Sequence, residues 1–458
     1  MKRTLILGGT ALCLTACSQT PLTPHSPPTL NAPDATAAPS TSPTAPTELD
    51  ALLAHPLSQD EAVRLALAHS PALQALQARS EALAAQARAD ARPGLFGLSL
   101  ARLRQGGDTD IERHLSLGLL DLLLWPWRSE AADRQIDVAQ QARAMAVLGR
   151  AHAVRSQWVK AVAAQARERY QADSLEAAQL SAELAQRLQT SGQFSLAQQQ
   201  QHAASASEAR LAQTVAAQQA RREREALVRL LGLQGEQAQQ LRLPEALPPV
   251  PEQPERTEAS VRNAARAGRL DLRLAESRWL LSRGQSRHDI ARSLVDVDVG
   301  FQRNTSTGAP AQQGPNVDFR LISIDLGAAR REASRQEERA ALAAWQQTAV
   351  DAESQLRERW ADVQGARASA REAGQVLHTL RTQLLGERLK QYNGMLIGPI
   401  ELLDEARARA GSVITALDAL RDHWLADAAL QAAIDGVDSP TADLSAPSGQ
   451  DAPNAKSH

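Results

Sequence analysis

The sequence predicts a mainly α-helical protein with a small β part, built as a duplicated strand-strand-long-helix repeat. Two segments of roughly sixty residues run without proline, each is preceded by a pair of alternating apolar and polar segments, and the whole order recurs. The recurrence has an offset of about 200 residues, far above a solenoid period, so it is a duplicated domain and not an array of small units. The first copy opens at Leu57-Ser58-Gln59-Asp60-Glu61-Ala62 and closes at Leu230-Leu231-Gly232. A second copy opens near Glu258-Ala259-Ser260-Val261 and closes at Ile434-Asp435-Gly436. The repeats span 51–245 and 253–436.

The N-terminus comes first in chain order. Met1-Lys2-Arg3 is a positive start, and Thr4 to Ala16 is apolar but too short to span a bilayer, as in a cleaved signal. Leu14-Thr15-Ala16-Cys17 resembles a bacterial lipobox, which implies removal of residues 1–16 and acylation of Cys17; Ser18 in place of Asp favours delivery to the outer membrane. The bland alternative is an ordinary signal with a chance cysteine. Cys13, the other cysteine, lies inside the signal, so no disulfide is expected. Losing Lys2 and Arg3 leaves 48 basic against 52 acidic residues, a formal charge of −4 that is no nucleic-acid signature.

Residues 17–50 are rich in Pro, Thr, Ser and Ala and cannot bury enough surface to offset ordering entropy, so a disordered tether is predicted. A tail over 437–458 has the same character. The long helices are predicted from Arg128 to about Ser191 and from Ala328 to about Asn393. At 1.5 Å per residue each extends roughly 90 Å, a length that fits a coiled coil, a membrane span or a tube. Recurrent Arg, Glu and Gln exclude a membrane span. Val147, Ala151, Val154, Trp158 and Val162 recur at coiled-coil spacing, as do Leu342, Trp345, Ala349, Ala352, Leu356 and Val363. Ile400, Leu403, Ala410, Ile414, Leu417 and Trp424 repeat the pattern on the last helix. The bland reading of every tryptophan is core filler.

Strands are predicted at Leu95–Leu103 and Ile111–Leu124 around Gly106-Gly107-Asp108, and at Leu294–Gln302 and from Asn316 around a loop over Asn304–Pro315. Val295, Val297, Val299 and Phe301 share one face, opposite Asp296, Asp298, Gly300 and Gln302; on the partner, Val317, Phe319 and Leu321 oppose Asp318 and Arg320. Such hairpins suit a membrane β-barrel. Four strands leave open edges that lipid cannot satisfy, whereas three copies supply twelve strands.

At this point the chain resembles the TolC family of outer-membrane efflux proteins over Leu57 to Gly436. The resemblance is carried by Ser70-Pro71-Ala72-Leu73 and Arg269-Leu270-Asp271-Leu272 at the helix steps. Strand-to-helix junctions match at Leu124-Trp125-Pro126-Trp127-Arg128 and Ile324-Asp325-Leu326-Gly327-Ala328-Ala329-Arg330. Helix-to-helix turns match at 188–194 and at Tyr392-Asn393-Gly394-Met395-Leu396-Ile397-Gly398. It implies a homotrimer with a 12-stranded barrel in the outer membrane, continued by an α-helical barrel through the periplasm to a periplasmic adaptor and an inner-membrane pump.

The resemblance also assigns candidate residues. Glu401 and Asp404 fall on the family's carboxylate positions at the periplasmic gate, a selectivity ring in a trimer, or, blandly, a solvated helix face. Ser191, Gly192, Tyr392, Asn393, Gly394 and Met395 are the candidate adaptor-contacting tip turns. Ile397 stands where many members have a basic brace, and 191–201 carries no acidic residue, so any ring comes from the second repeat. Aromatics are only 3%, so an interfacial girdle is sparse, with Trp125 and Trp127 the candidates for a periplasmic-side belt. No histidine pair, mature thiol or glycine-rich motif points to an enzyme, and no cofactor is expected beyond the covalent lipid. Tyr392-Asn393-Gly394-Met395 with Leu420-Arg421-Asp422-His423-Trp424 resembles a subset associated with copper or heavy-metal export, although only Met145 and Met395 remain among the methionines of the mature chain and no metal site is assigned. A type I secretion duct for polypeptides and a non-conducting lipoprotein scaffold stay open beside an efflux duct.

Overall fold

A computed structural model describes residues 51–92, 97–105, 108–252, 256–292, 296–308, 310–320 and 328–437. Cys17, the tether and the tail beyond Val437 lie outside them. The two repeats start alike because each first helix is capped by its own sequence. Ser58 and Glu61 cap α1 (Gln59–His69) reciprocally, the Ser58 N–H donating to the Glu61 carboxylate at 2.9 Å. Thr257 and Ser260 do the same for α6 (Glu258–Gly268), with the Thr257 N–H donating to Ser260 Oγ at 3.0 Å.

The first repeat continues through α2 (Pro71–Ala91), β1 (Gly97–Gln105), β2 (Asp108–Gly118), α3 (Leu119–Thr190), α4 (Leu196–Leu231) and the short α5 (Glu236–Gln240). Matching them in the second are α7 (Leu270–Arg292), β3 (Asp296–Ser306), β4 (Gln312–Arg320), α8 (Ala328–Arg371), a π-helical turn (Glu372–Leu377), α9 (His378–Asn393) and α10 (Pro399–Asp435). Helix α3 packs on α2 and α4, α7 packs on α8, and α10 packs on α8 and α9. The repeats join where α3 meets α7 and α10.

Glycine closes the last long helix of each repeat. Gly232 ends α4 with φ 77° and Gly436 ends α10 with φ 75°, conformations that side chains resist. A Cβ on Gly232 would lie 3.1 Å from Pro71 Cδ, and one on Gly436 would collide with the Asp271 carboxylate. The C-terminus of α4 therefore abuts the start of α2, and that of α10 abuts the start of α7. The predicted helix-closing glycines and the Pro71 and Asp271 steps are two sides of the same junctions.

The largest core cluster lies beside the first junction and includes Leu57, Leu65, Val154, Trp158, Val162, Leu227 and Leu231, with Leu420 and Trp424 of α10 packed against it. Trp158 Nε1 donates to the Leu57 carbonyl at 2.8 Å, so its polar edge is satisfied while its ring is buried. Arg150 donates to the Leu230 carbonyl at 2.9 Å and thus covers the end of α4. Across the repeats, His152 Nε2 lies 2.8 Å from Asp435 Oδ2, tying α3 to the end of α10.

The helix and strand limits differ from the predicted ones. Helix α3 begins at Leu119 and not near Arg128, so Pro126 and the apolar run before it lie inside the helix. A proline there removes one backbone hydrogen bond but does not stop a helix already started. The second long helix keeps its predicted limits, Ala328 to Asn393, but widens to a π-helical turn around Gly374. β3 runs to Ser306 because its extension pairs with β2 down to Asp110, which shortens the predicted loop. β4 likewise begins at Gln312 and includes Pro315, on a strand that is an edge within a single copy.

Candidate functional site

The sheet is a single antiparallel run in the order β1-β2-β3-β4. Its register aligns Leu98, Leu115, Phe301 and Pro315 in one row, with Leu117, Val299 and Val317 in the next row towards the helices. Leu98, Leu100, Leu115, Phe301 and Val317 are all exposed. On the other face Glu112, His114, Gln302 and Asn304 are half-buried. His114 Nε2 and Asn316 Oδ1 are 3.1 Å apart across that face. An exposed apolar face backed by a mainly polar one is the alternation of a barrel wall.

Immediately after β2, Leu122, Leu123, Trp125 and Trp127 are exposed as well. These two tryptophans depart from the core-filler reading that Trp158 satisfies, and they supply the belt candidates at the sheet-helix junction. Among the described residues no helix is long and apolar enough to cross a membrane.

At the far end of the helices, both turns use the same pair of backbone bonds. In the first, Gln193 N–H donates to Leu188 O at 2.9 Å and Gly192 N–H to Gln189 O at 3.0 Å. In the second, Leu396 N–H donates to Gln391 O at 2.9 Å and Met395 N–H to Tyr392 O at 2.9 Å. The left-handed position is Gly192 in one and Met395, φ 62°, in the other. Gly394 lies one residue too early and stays at φ −81°. Ser195 and Gln198 cap α4 reciprocally, whereas Gly398 gives α10 no side-chain cap. Ser191, Gly192, Tyr392, Asn393, Gly394 and Met395 are all exposed, and Met395 and Leu396 are 92% and 78% exposed.

Glu401 and Asp404 are exposed in the first two turns of α10. Asp404 Oδ1 accepts from Arg407 Nη1 at 3.4 Å. The other end of that guanidinium reaches a buried pair, Ser181 Oγ at 3.2 Å and His202 Nδ1 at 3.4 Å. Burial, then the Arg407 charge, hold His202 below its ordinary pKa against the pull of Asp404, so it is neutral at neutral pH and accepts at Nδ1. Arg407 thus links the acidic face of α10 to both helices of the first hairpin. Asp404 is partly neutralised by this partner, which leaves Glu401 the less shielded carboxylate. The i, i+3 spacing of Asp404 and Arg407 is visible in sequence; the buried Ser181 and His202 contacts are not.

The structure does not bring Met395 and His423 together. They are separated by most of α10, about 40 Å at 1.5 Å per residue. His423 is buried beside Trp424, and burial together with Arg367 and Arg371 lowers its pKa against the pull of Asp427.

No protein-family model matches the chain, and no curated protein matches it by sequence. Solved structures do match by fold. VceC, an outer-membrane protein of Vibrio cholerae, is 16% identical with a TM-score of 0.67, covering 83% of this chain and 97% of its own. The CmeC outer-membrane channel of Campylobacter jejuni is 13% identical with a TM-score of 0.70, covering 84% and 87%. The chain has the TolC-family fold. MtrE, an outer-membrane channel of Neisseria gonorrhoeae, shares it at 17% identity and a TM-score of 0.62, covering 83% and 89%.

Proposed function

We propose that three copies form an outer-membrane channel that gives passive exit to the cargo of a tripartite efflux system. The observation that carries this reading is the four-stranded sheet with two unpaired edges and an exposed apolar face. Its strands alternate in direction, so β4 of one copy and β1 of the next are antiparallel and twelve strands close without an edge. In this reading the exposed turns at Gly192 and Met395 meet a periplasmic adaptor, which docks an inner-membrane pump. An acyl chain on Cys17 anchors each copy to the outer membrane, and palmitate incorporation that depends on Cys17 marks it.

Glu401 and Asp404 form the acidic ring at the narrow end, with Glu401 carrying more of the free charge. Single-channel recording in planar bilayers tests the reading. Wild type conducts with a preference for cations, and Glu401→Gln with Asp404→Asn reduces it; Glu353→Gln with Glu358→Gln, on the middle of α8, changes it less. Absence of conductance from an assembled protein favours a non-conducting scaffold instead.

A further inference from the structure

The exposed face of the sheet changes character along its length. Next to the apolar row of Leu98, Leu115, Phe301 and Pro315, the row farther from the helices places Arg113 directly opposite Arg303 and also contains Leu100. Arg102, opposite Ile111, and Arg104, opposite Thr109, stand on the same face farther out. All four arginines are exposed, and among the described residues none makes an ion pair. The acidic residues at this level, Asp110 and Glu112, alternate onto the opposite face. Like charges directly across a strand pair are unfavourable unless an anion lies between them.

We propose that Arg102, Arg104, Arg113 and Arg303 form a belt that binds the phosphate groups of phosphorylated lipid headgroups in the outer leaflet. This rests on the barrel reading, in which this face meets lipid. An arginine on the lipid face is strongly unfavourable at the bilayer midplane and close to neutral at the interface, so four of them fix the headgroup level. The opposite boundary is set by Trp125 and Trp127. From Arg113 to the end of β2 is about 17 Å of strand, and α3 adds about 13 Å to Trp127, together about 30 Å of chain. With tilt this matches an apolar band of about 25 Å. Planar guanidinium groups are suited to two-point hydrogen bonding of phosphate oxygens, which sets this belt apart from a merely solvated charged rim.

The test uses the full-length protein in nanodiscs containing bisphosphorylated lipid A, with dephosphorylated lipid A and free inorganic phosphate as separate arms. Native mass measurement reads the lipid retained per assembly. Wild type is expected to keep at least ten-fold more bisphosphorylated lipid A than the variant Arg102→Gln/Arg104→Gln/Arg113→Gln/Arg303→Gln. Removing the phosphates lowers wild-type retention to the level of the variant, free phosphate does not displace the lipid, and Arg221→Gln/Arg222→Gln on α4 behaves as wild type. The pairs Arg102→Gln/Arg104→Gln and Arg113→Gln/Arg303→Gln, each expected to lose part of the retention, cover the case in which the fourfold change prevents folding. Equal retention by wild type and variants, retention indifferent to the lipid phosphates, or displacement by free phosphate overturns the belt. Quenching of Trp125 and Trp127 by brominated lipid in the same discs separates the two readings. Quenching with arginine-independent retention refutes the belt alone, and absence of quenching in wild type refutes membrane insertion and the belt with it.

Discussion

The two repeats follow one plan with different local solutions, and the contrast shows where the fold is constrained. The first long helix runs through 72 residues with Pro126 inside it, whereas its counterpart contains a π-helical turn. Both reach a hairpin turn with the same backbone bonds, yet one places glycine at the left-handed position and the other a methionine. Helix regularity and turn composition thus vary between the halves. The glycine junctions at Gly232 and Gly436 do not, because both a left-handed backbone and a close neighbour act there.

The largest effect of a substitution is expected at those shared junctions, where the two halves differ only in how close the neighbour is. Gly436→Ala must displace the Asp271 carboxylate, which is itself paired with buried Arg269 at 2.7 Å, as well as adopt a left-handed backbone. A loss of about 3 kcal/mol is expected, against about 1–2 kcal/mol for Gly232→Ala, whose neighbours at 3.1 and 3.3 Å need only give slightly. Denaturant unfolding followed by far-ultraviolet circular dichroism measures both, and equal losses would break the distinction.

A smaller effect separates the tips, with opposite signs. Met395→Gly relieves a left-handed side chain and stabilises by about 1 kcal/mol, while Gly192→Ala destabilises by a similar amount. Hydrogen exchange at the two turns reads this locally. Faster exchange at 391–396 in Met395→Gly would show that the methionine makes contacts that outweigh its strain.

The smallest effect concerns the link from α10 to the first hairpin. His202 has its pKa lowered in the fold, so as pH falls through the ordinary histidine range the unfolded chain binds a proton before the folded one. Its contact with Arg407 and Ser181 is therefore fully favourable above about pH 6.5 and weakens below it. Wild type should lose more stability between pH 7.5 and 5.5 than His202→Gln; an equal loss would assign the acid sensitivity elsewhere.

Sequence reached the parts of this fold that have local causes. The openings at Leu57-Ser58 and near Glu258 mark helix starts, Gly232 and Gly436 mark ends, and the Val299-Phe301 alternation marks a strand. The misplaced limits have non-local causes. Asn304 to Ser306 become strand because β2 is there to pair with them, and the turn residues of β4 yield to the ladder in the same way. Alternation marked the polar and apolar faces but not the arginine row, which needs the register of β2 on β3 to bring Arg113 opposite Arg303. The acidic pair on α10 was legible only through a resemblance, and its tie to His202 crosses more than two hundred residues of chain.

The central claim is that the open sheet closes between copies, and the assembled mass tests it most directly. Full-length protein extracted in mild detergent and measured by light scattering should contain three chains, because β1 and β4 each leave an edge that a neighbour must pair. A stable, dispersed single chain with its four strands intact would contradict the account.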